Sequence, residues 1–127
     1  MTNKAVACRV SPPIAKNQDI ILTISPVLYS LATGPLMAPA LLKAYLAQQG
    51  LRAHCLDLNL ELWHFLDRDT SLFSLEPHPM IAEEAYEEFK YRFHLDDFIS
   101  YWAQSLTAAS ARWVGFSIHD KRTERIT

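Results

Sequence analysis

The sequence predicts an α/β fold in which helices flank a parallel sheet of about three strands. Three segments of strand length, residues 20–25, 52–57 and 113–118, are separated by segments with a helical pattern, and the first and third of them are apolar runs. Strands that alternate with helices form parallel sheets, because each crossover returns the chain to the same end of the sheet. We therefore expect the strand order second, first, third, with all carboxyl ends along one edge.

The first strand, Ile20 to Ser25, precedes a loop that runs from Pro26 to Pro35. The strand lacks a strict polar alternation, which is typical of a central strand with helices on both faces. In open α/β sheets, ligands bind outside the carboxyl ends of the strands. Any small-molecule site in this chain is therefore expected in the loop that follows the first strand.

The next segment is predicted to be a helix that begins near Pro35 and ends at Gly50. Proline suits a first helical turn, where its missing N–H has no intrahelical partner, and glycine suits a C-terminal cap. Leu41, Leu42 and Tyr45 recur at helical spacing. We expect them to pack on the sheet, so that Leu41→Asp would bury an unpaired charge and unfold the domain.

The chain between the second and third strands is predicted to be mainly helical. Asn59 is a candidate N-cap for a short helix, and Pro77 and Pro79 indicate a connector, because two prolines so close exclude a continuing helix. Residues 80–92 and 95–111 form two further predicted helices, the second with apolar residues at helical spacing. They supply the crossover to the third strand.

We treat the chain as one domain, residues 19–127, preceded by a flexible amino-terminal tail, residues 1–18. The tail is polar and irregular, with Pro12-Pro13 blocking regular structure, although the apolar residues 5–8 leave an edge strand open. The third strand is followed by eight mostly charged residues and no predicted partner for its outer edge. We therefore expect an incomplete domain that is oligomeric, aggregation-prone or marginally folded.

The composition argues against several classes of function. Twelve Lys and Arg against 14 Asp and Glu give a formal net charge of −2, with no basic stripe to bind a nucleic acid backbone. The two cysteines, Cys8 and Cys55, have neither disulfide nor metal-ligand spacing, which favours a reducing, cytoplasmic location. The sequence has no signal peptide and no apolar run long enough to span a membrane, so no membrane partner is expected.

The polar and aromatic side chains do not form a known catalytic or metal-ligating motif. The five histidines lack the spacing of a zinc site, and the first loop lacks the glycine spacing of nucleotide-binding loops. The glutamate doublets at 83–84 and 87–88 share a helix, where carboxylates repel unless solvated, so a solvated face is favoured over a catalytic pair. Trp63, Trp102 and Trp113 are predicted to be core residues rather than a stacking platform.

Four pieces of the sequence carry a family resemblance through their order and spacing. They are the strand that ends in Ser25-Pro26, the helix that leads to Gly50, and the segments 56–59 (Leu-Asp-Leu-Asn) and 114–117 (Val-Gly-Phe-Ser). Together they resemble the amino-terminal cobalamin-binding domain of the cobalamin-dependent radical S-adenosylmethionine enzymes. The resemblance covers roughly residues 19 to 118. It implies a Rossmann-like sheet that holds cobalamin over its carboxyl edge.

The same resemblance implies that the loops after the first and third strands contact the corrin ring. The matching residues are Ser25, Pro26, Val27, Leu28, Ser117, Ile118 and His119.

The Asp-x-His-x-x-Gly signature, which supplies a lower axial histidine in other cobalamin proteins, is absent here, as it is in many radical-enzyme members. The three-cysteine motif for an iron–sulfur cluster is also absent, and two scattered cysteines cannot hold that cluster. The chain alone is therefore not expected to catalyse a radical reaction; the cluster and S-adenosylmethionine would belong to a full-length relative.

Two interpretations of the function follow. The first is a cobalamin-binding domain or fragment of a radical enzyme, whether truncated, cut short by a broken reading frame or free-standing. The second is a structural or interaction module that binds no cofactor and pairs through an exposed sheet edge. Its partner would be a radical-enzyme domain or a second copy of the chain.

Overall fold

The fold is seen in a computed structural model, which describes residues 4–26, 37–79 and 82–117. In chain order, its elements are α1 (Lys4–Ala7), β1 (Ile20–Ile24), α2 (Met37–Gln48), β2 (Ala53–Asp57), α3 (Leu58–Phe65), a 3₁₀ helix (Thr70–Ser74), α4 (Glu83–Phe93), α5 (Leu95–Ala108) and β3 (Trp113–Ser117). None of the helices in these ranges is long and apolar enough to cross a membrane.

The three strands form one parallel sheet in the order β2-β1-β3, which confirms the predicted fold class. Ile20 at the start of β1 lies opposite Ala53 of β2 and Trp113 of β3. At the other end, Ile24 lies opposite Asp57 and Ser117. The central strand is thus paired along its whole length on both sides, and the carboxyl ends of all three strands reach one edge in register.

The core lies on one face of the sheet, under α3, α4 and α5. Ile21 and Leu56 project from the sheet into one cluster of buried residues. Helix α5 contributes its residues at helical spacing, as the sequence predicts, because positions three and four apart share one side of a helix. The helices contribute Leu58, Leu62, Phe65, Tyr86, Phe89, Leu95, Phe98 and Trp102 to this cluster.

Helix α2 covers the opposite face of the sheet with little burial. Within α2 only Pro39 and Leu46 are partly buried, and the Cys55 thiol of β2 lies 3.5 Å from the Pro39 carbonyl oxygen. Residues seven apart lie on the same side of a helix, so this pair defines the side that contacts the sheet. The sequence predicted that Leu41, Leu42 and Tyr45 pack on the sheet. That prediction is wrong, because each of these side chains is more than half exposed.

The C-terminus of α2 is the cap that the sequence predicts. Gly50 has a φ of +78°, in the left-handed region that favours glycine. The Leu51 N–H donates to the Leu46 carbonyl (2.9 Å) and the Gly50 N–H donates to the Ala47 carbonyl (3.0 Å). These two bonds form a Schellman motif, which satisfies the last carbonyls of the helix and turns the chain towards β2.

The amino-terminal residues pack on the helical layer. Residues 4–7 form α1, with Ala5 buried in the core cluster, so the prediction of irregular chain is wrong for these residues. The Arg9 guanidinium donates to the Tyr101 hydroxyl (3.0 Å) and lies over the Trp102 ring. Glu61 of α3 accepts the N–H groups of the two residues after Arg9. Long-range contacts, rather than local helix propensity, hold this segment in place.

Candidate functional site

Open α/β folds bind ligands at the carboxyl edge of the sheet. From β1 the chain crosses to β2 on one side of the sheet, and from β2 it crosses to β3 on the other side. This reversal of strand order makes the carboxyl ends of β1 and β3 a topological switch point, which is where open α/β sheets bind ligands. We take this switch point as the candidate functional site.

Three of the seven predicted corrin contacts lie in the described residues. Ser25 and Pro26 follow β1 directly and are buried, with Ser25 only 1% exposed, and Ser117 ends β3 and is half-buried. Because Ile24 is in register with Ser117, the structure brings Ser25 and Ser117 to adjacent strand ends. The remaining predicted contacts lie outside the described residues: Val27, Leu28, Ile118 and His119.

Asp57 is a further polar group at this edge, and the sequence did not single it out as a cap. Its carboxylate accepts the Leu60 N–H (2.9 Å), so α3 begins directly after β2 and the predicted cap, Asn59, is wrong by two residues. Burial raises the pKa of the Asp57 carboxyl, although the N–H groups of Leu60 and Asn59 oppose that shift. Desolvation therefore outweighs the cap, and the edge carries a carboxyl group that retains its proton more readily than an ordinary aspartate.

The raised pKa of Asp57 predicts a dependence of stability on pH. The folded chain holds the proton above the ordinary value of 3.8, so the stability contributed by this group is complete below that value and is lost as pH rises through the folded pKa. Asp57→Asn keeps a cap acceptor and has no charge to bury. We expect its melting temperature to rise relative to that of the parent as pH increases from below 3.8 through the raised pKa of Asp57. A difference that stays constant with pH would contradict this assignment.

The other perturbed groups of β2 lie away from the carboxyl edge. His54 is near the start of the strand, where burial, and then the charges of Lys43 and Arg9, lower its pKa. Burial raises the pKa of the Cys55 thiol, which disfavours the reactive thiolate. Among the described residues, no three His, Cys, Asp or Glu side chains are grouped so as to hold a metal ion.

Strand β3 is far more exposed than its neighbours. Trp113 is 66% exposed, Val114 39% and Phe116 38%. Trp113 was predicted to be a core residue together with Trp102; Trp102 is buried in α5, but for Trp113 the prediction is wrong. No described strand pairs with the outer side of β3. The sheet thus presents a second candidate surface, the outer edge of β3 with its apolar side chains.

Comparison with protein-family models, curated proteins and solved structures finds no match to this chain. The architecture is an open α/β sheet, and many unrelated functions share that architecture. The function of the chain therefore depends on the chemistry of two surfaces, the carboxyl edge of the sheet and the outer edge of β3.

Proposed function

We propose that the chain binds a cobalamin at the carboxyl edge of its sheet, between the ends of β1 and β3. The observation that supports this most is the switch point, where Ser25 and Ser117 lie at adjacent strand ends. Sites for flat, multi-ring cofactors are largely apolar and have a few fixed polar groups. A buried Ser-Pro pair next to a half-buried serine has that character. Three of the four sequence pieces of the resemblance, Ser25-Pro26 and the segments 56–59 and 114–117, reach this edge.

The described residues fit a holding role better than a ligand to cobalt. No histidine is present among the described residues that end β1, β2 and β3, so those strand ends provide no lower axial ligand. Serine hydroxyls and backbone amides can instead hydrogen-bond the amide groups around a corrin ring. In this proposal the chain positions the cofactor, and any radical chemistry belongs to a domain that carries an iron–sulfur cluster.

A titration with hydroxocobalamin, followed by visible absorption, tests the proposal. Ser117→Trp places a bulky ring at the candidate site, while Tyr91→Trp places the same ring on the exposed side of α4. We expect the parent and Tyr91→Trp to shift the cobalamin spectrum alike, and Ser117→Trp to raise the dissociation constant at least about tenfold, roughly 1.4 kcal/mol. Far-ultraviolet circular dichroism confirms that both variants are folded.

Two results would contradict cobalamin binding at this edge. One is an unchanged spectrum with the folded parent at about millimolar cobalamin, an affinity so weak that it amounts to only about 4 kcal/mol. The other is an equal loss of affinity in the two tryptophan variants, which would place the ligand elsewhere on the chain.

A second function is favoured by the exposure of β3. An exposed edge strand with apolar side chains favours pairing with another chain. Trp113 projects from the α2 face, in register with Ile20, and Val114 and Phe116 project from the core face, in register with Ile21 and Thr23. We propose that this edge is an interaction surface that pairs with another chain by strand addition.

A further inference from the structure

We infer that β3 pairs with β3 of a second copy of this chain, antiparallel, about a two-fold axis that passes through Gly115. This inference rests on the second function proposed above and names its partner. The product is a continuous sheet of six strands, since each copy contributes three. Closed two-fold pairing is the commonest symmetry of soluble assemblies.

The direction of the backbone groups in β3 defines the free edge. The Trp113 N–H donates to the Asp19 carbonyl (3.0 Å), and the Gly115 carbonyl accepts the Thr23 hydroxyl (2.6 Å), so these two residues face β1. Backbone groups alternate sides along a strand, so those of Val114 and Phe116 point outwards. Within the described residues no strand meets them, and unpaired N–H and C=O groups of this kind form a template for another strand.

Strand β3 also lacks the features that protect edge strands from association. Its sequence, Trp-Val-Gly-Phe-Ser, contains no charge and no proline. Natural edge strands usually carry lysine, proline or a bulge, which make pairing with another chain unfavourable. Tyr91 is also exposed, but it lies in helix α4 and not in a strand. It therefore offers no backbone template for strand pairing.

One register satisfies β3 better than the alternatives. When the axis passes through Gly115, Val114 lies opposite Phe116 of the copy and Trp113 lies opposite Ser117. All five residues of β3 are then paired, and each pair of Val114 and Phe116 exchanges two hydrogen bonds across the interface. An axis through Val114 would set Arg112 against Phe116 of the copy. Valine and phenylalanine form a favourable cross-strand pair, whereas a charged residue there would be partly desolvated.

Within the described residues, nothing but the proposed axis requires a glycine at position 115. Gly115 does not have a positive φ, and a Cβ placed on it would meet only ordinary contacts, the nearest with the Leu22 Cδ2 atom at 3.7 Å. In the proposed register the two Gly115 residues form a non-hydrogen-bonded pair, where antiparallel backbones approach most closely. A residue without a side chain leaves room at this point for the Trp113 rings of both copies.

Site-specific cross-linking tests the register. In a Cys8→Ser, Cys55→Ala background, we expect Gly115→Cys to form a disulfide-linked dimer under mild oxidation, because the two Cα atoms would lie about 4.5 Å apart. Trp113→Cys is the matched control on the same face of the same strand. Its two copies would lie more than about 12 Å apart, beyond disulfide reach. Equal cross-linking of the two variants, or none in Gly115→Cys, would overturn the proposed register.

Analytical ultracentrifugation without cobalamin tests the association itself. Phe116→Lys places a charge on the edge, and we expect it to raise the dimer dissociation constant at least about tenfold. Tyr91→Lys introduces the same charge at a residue that is 85% exposed and away from β3, and it should associate like the parent. A parent that is monomeric at about millimolar concentration, or equal weakening by both lysines, would refute the edge dimer. Because cobalamin is absent, these results are independent of the cofactor proposal.

Discussion

Replacement of Phe98 by alanine is expected to lower the free energy of unfolding by about 3–5 kcal/mol. Phe98 is fully buried, and its ring centroid lies 5.4 Å from that of Phe65 and 6.5 Å from that of Trp102. The substitution removes the contact between α3 and α5 and leaves a cavity that the surrounding helices cannot fill without shifting. Urea denaturation followed by tryptophan fluorescence measures the loss.

Two exposed positions provide the controls for Phe98→Ala. Tyr91→Ala removes an aromatic ring from the solvent side of α4 and should change the free energy of unfolding by no more than about 0.5 kcal/mol. Leu41→Asp introduces a charge on α2, yet it should have a similarly small effect because Leu41 is more than half exposed. If Leu41→Asp unfolded the chain, the orientation of α2 described above would be wrong.

The sheet and the main helices could be predicted from the sequence because their signals are local. The segments of β1, β2 and β3 have strand length, those of β1 and β3 are apolar, and the apolar residues of α5 recur at a helical period over fourteen residues. Parallel pairing then follows from the helical crossovers. The capping glycine of α2 was predictable for the same reason, since Gly50 adopts a conformation that few other residues tolerate.

The orientation of α2 was not predictable from its own residues. This helix has apolar residues on several sides, so periodicity alone does not select the side that packs. The structure shows that Pro39 and Leu46 face the sheet, where Pro39 approaches Cys55 of β2. That contact joins residues from different elements and has no local signature.

The candidate site was predictable as a location but not in its chemistry. Fold class alone predicts a ligand crevice at the ends of β1 and β3, and the structure brings Ser25 and Ser117 together there. The burial that raises the pKa of Asp57 depends on packing between β2 and α3, so it could not be deduced from sequence. The exposure of Trp113 likewise depends on which elements cover β3, and its composition pointed the other way.

The two proposals use neighbouring groups of β3. Pairing between copies uses the outward backbone groups of Val114 and Phe116, whereas the cofactor site uses the end of the strand at Ser117. In an antiparallel dimer the carboxyl ends of the two β3 strands point in opposite directions. Two cobalamin sites would therefore lie at opposite ends of the sheet. Because Trp113 of one copy would lie opposite Ser117 of the other, we expect dimerisation to change the cofactor affinity.

The second large effect on stability is expected at Glu61, which is buried in α3. One carboxylate oxygen accepts the Ser11 N–H (2.7 Å) and the other accepts the Val10 N–H (3.2 Å). Glu61→Ala removes both charge-assisted bonds and releases the amino-terminal segment from the helical layer. We expect the free energy of unfolding to fall by about 2–3 kcal/mol, as measured by urea denaturation, with faster proteolysis before residue 12.

Glu61→Gln and Glu84→Ala separate this role from a general effect of removing a carboxylate. Glutamine keeps one side-chain acceptor, so Glu61→Gln should retain part of the stability and most of the protection against proteolysis. Glu84 lies on the exposed side of α4, and its replacement should cost no more than about 0.5 kcal/mol. The docking would be refuted if Glu61→Ala matched Glu84→Ala in both measurements. A loss confined to Glu61→Ala would instead show that two backbone hydrogen bonds hold residues 10 and 11 against α3, some 50 positions along the chain.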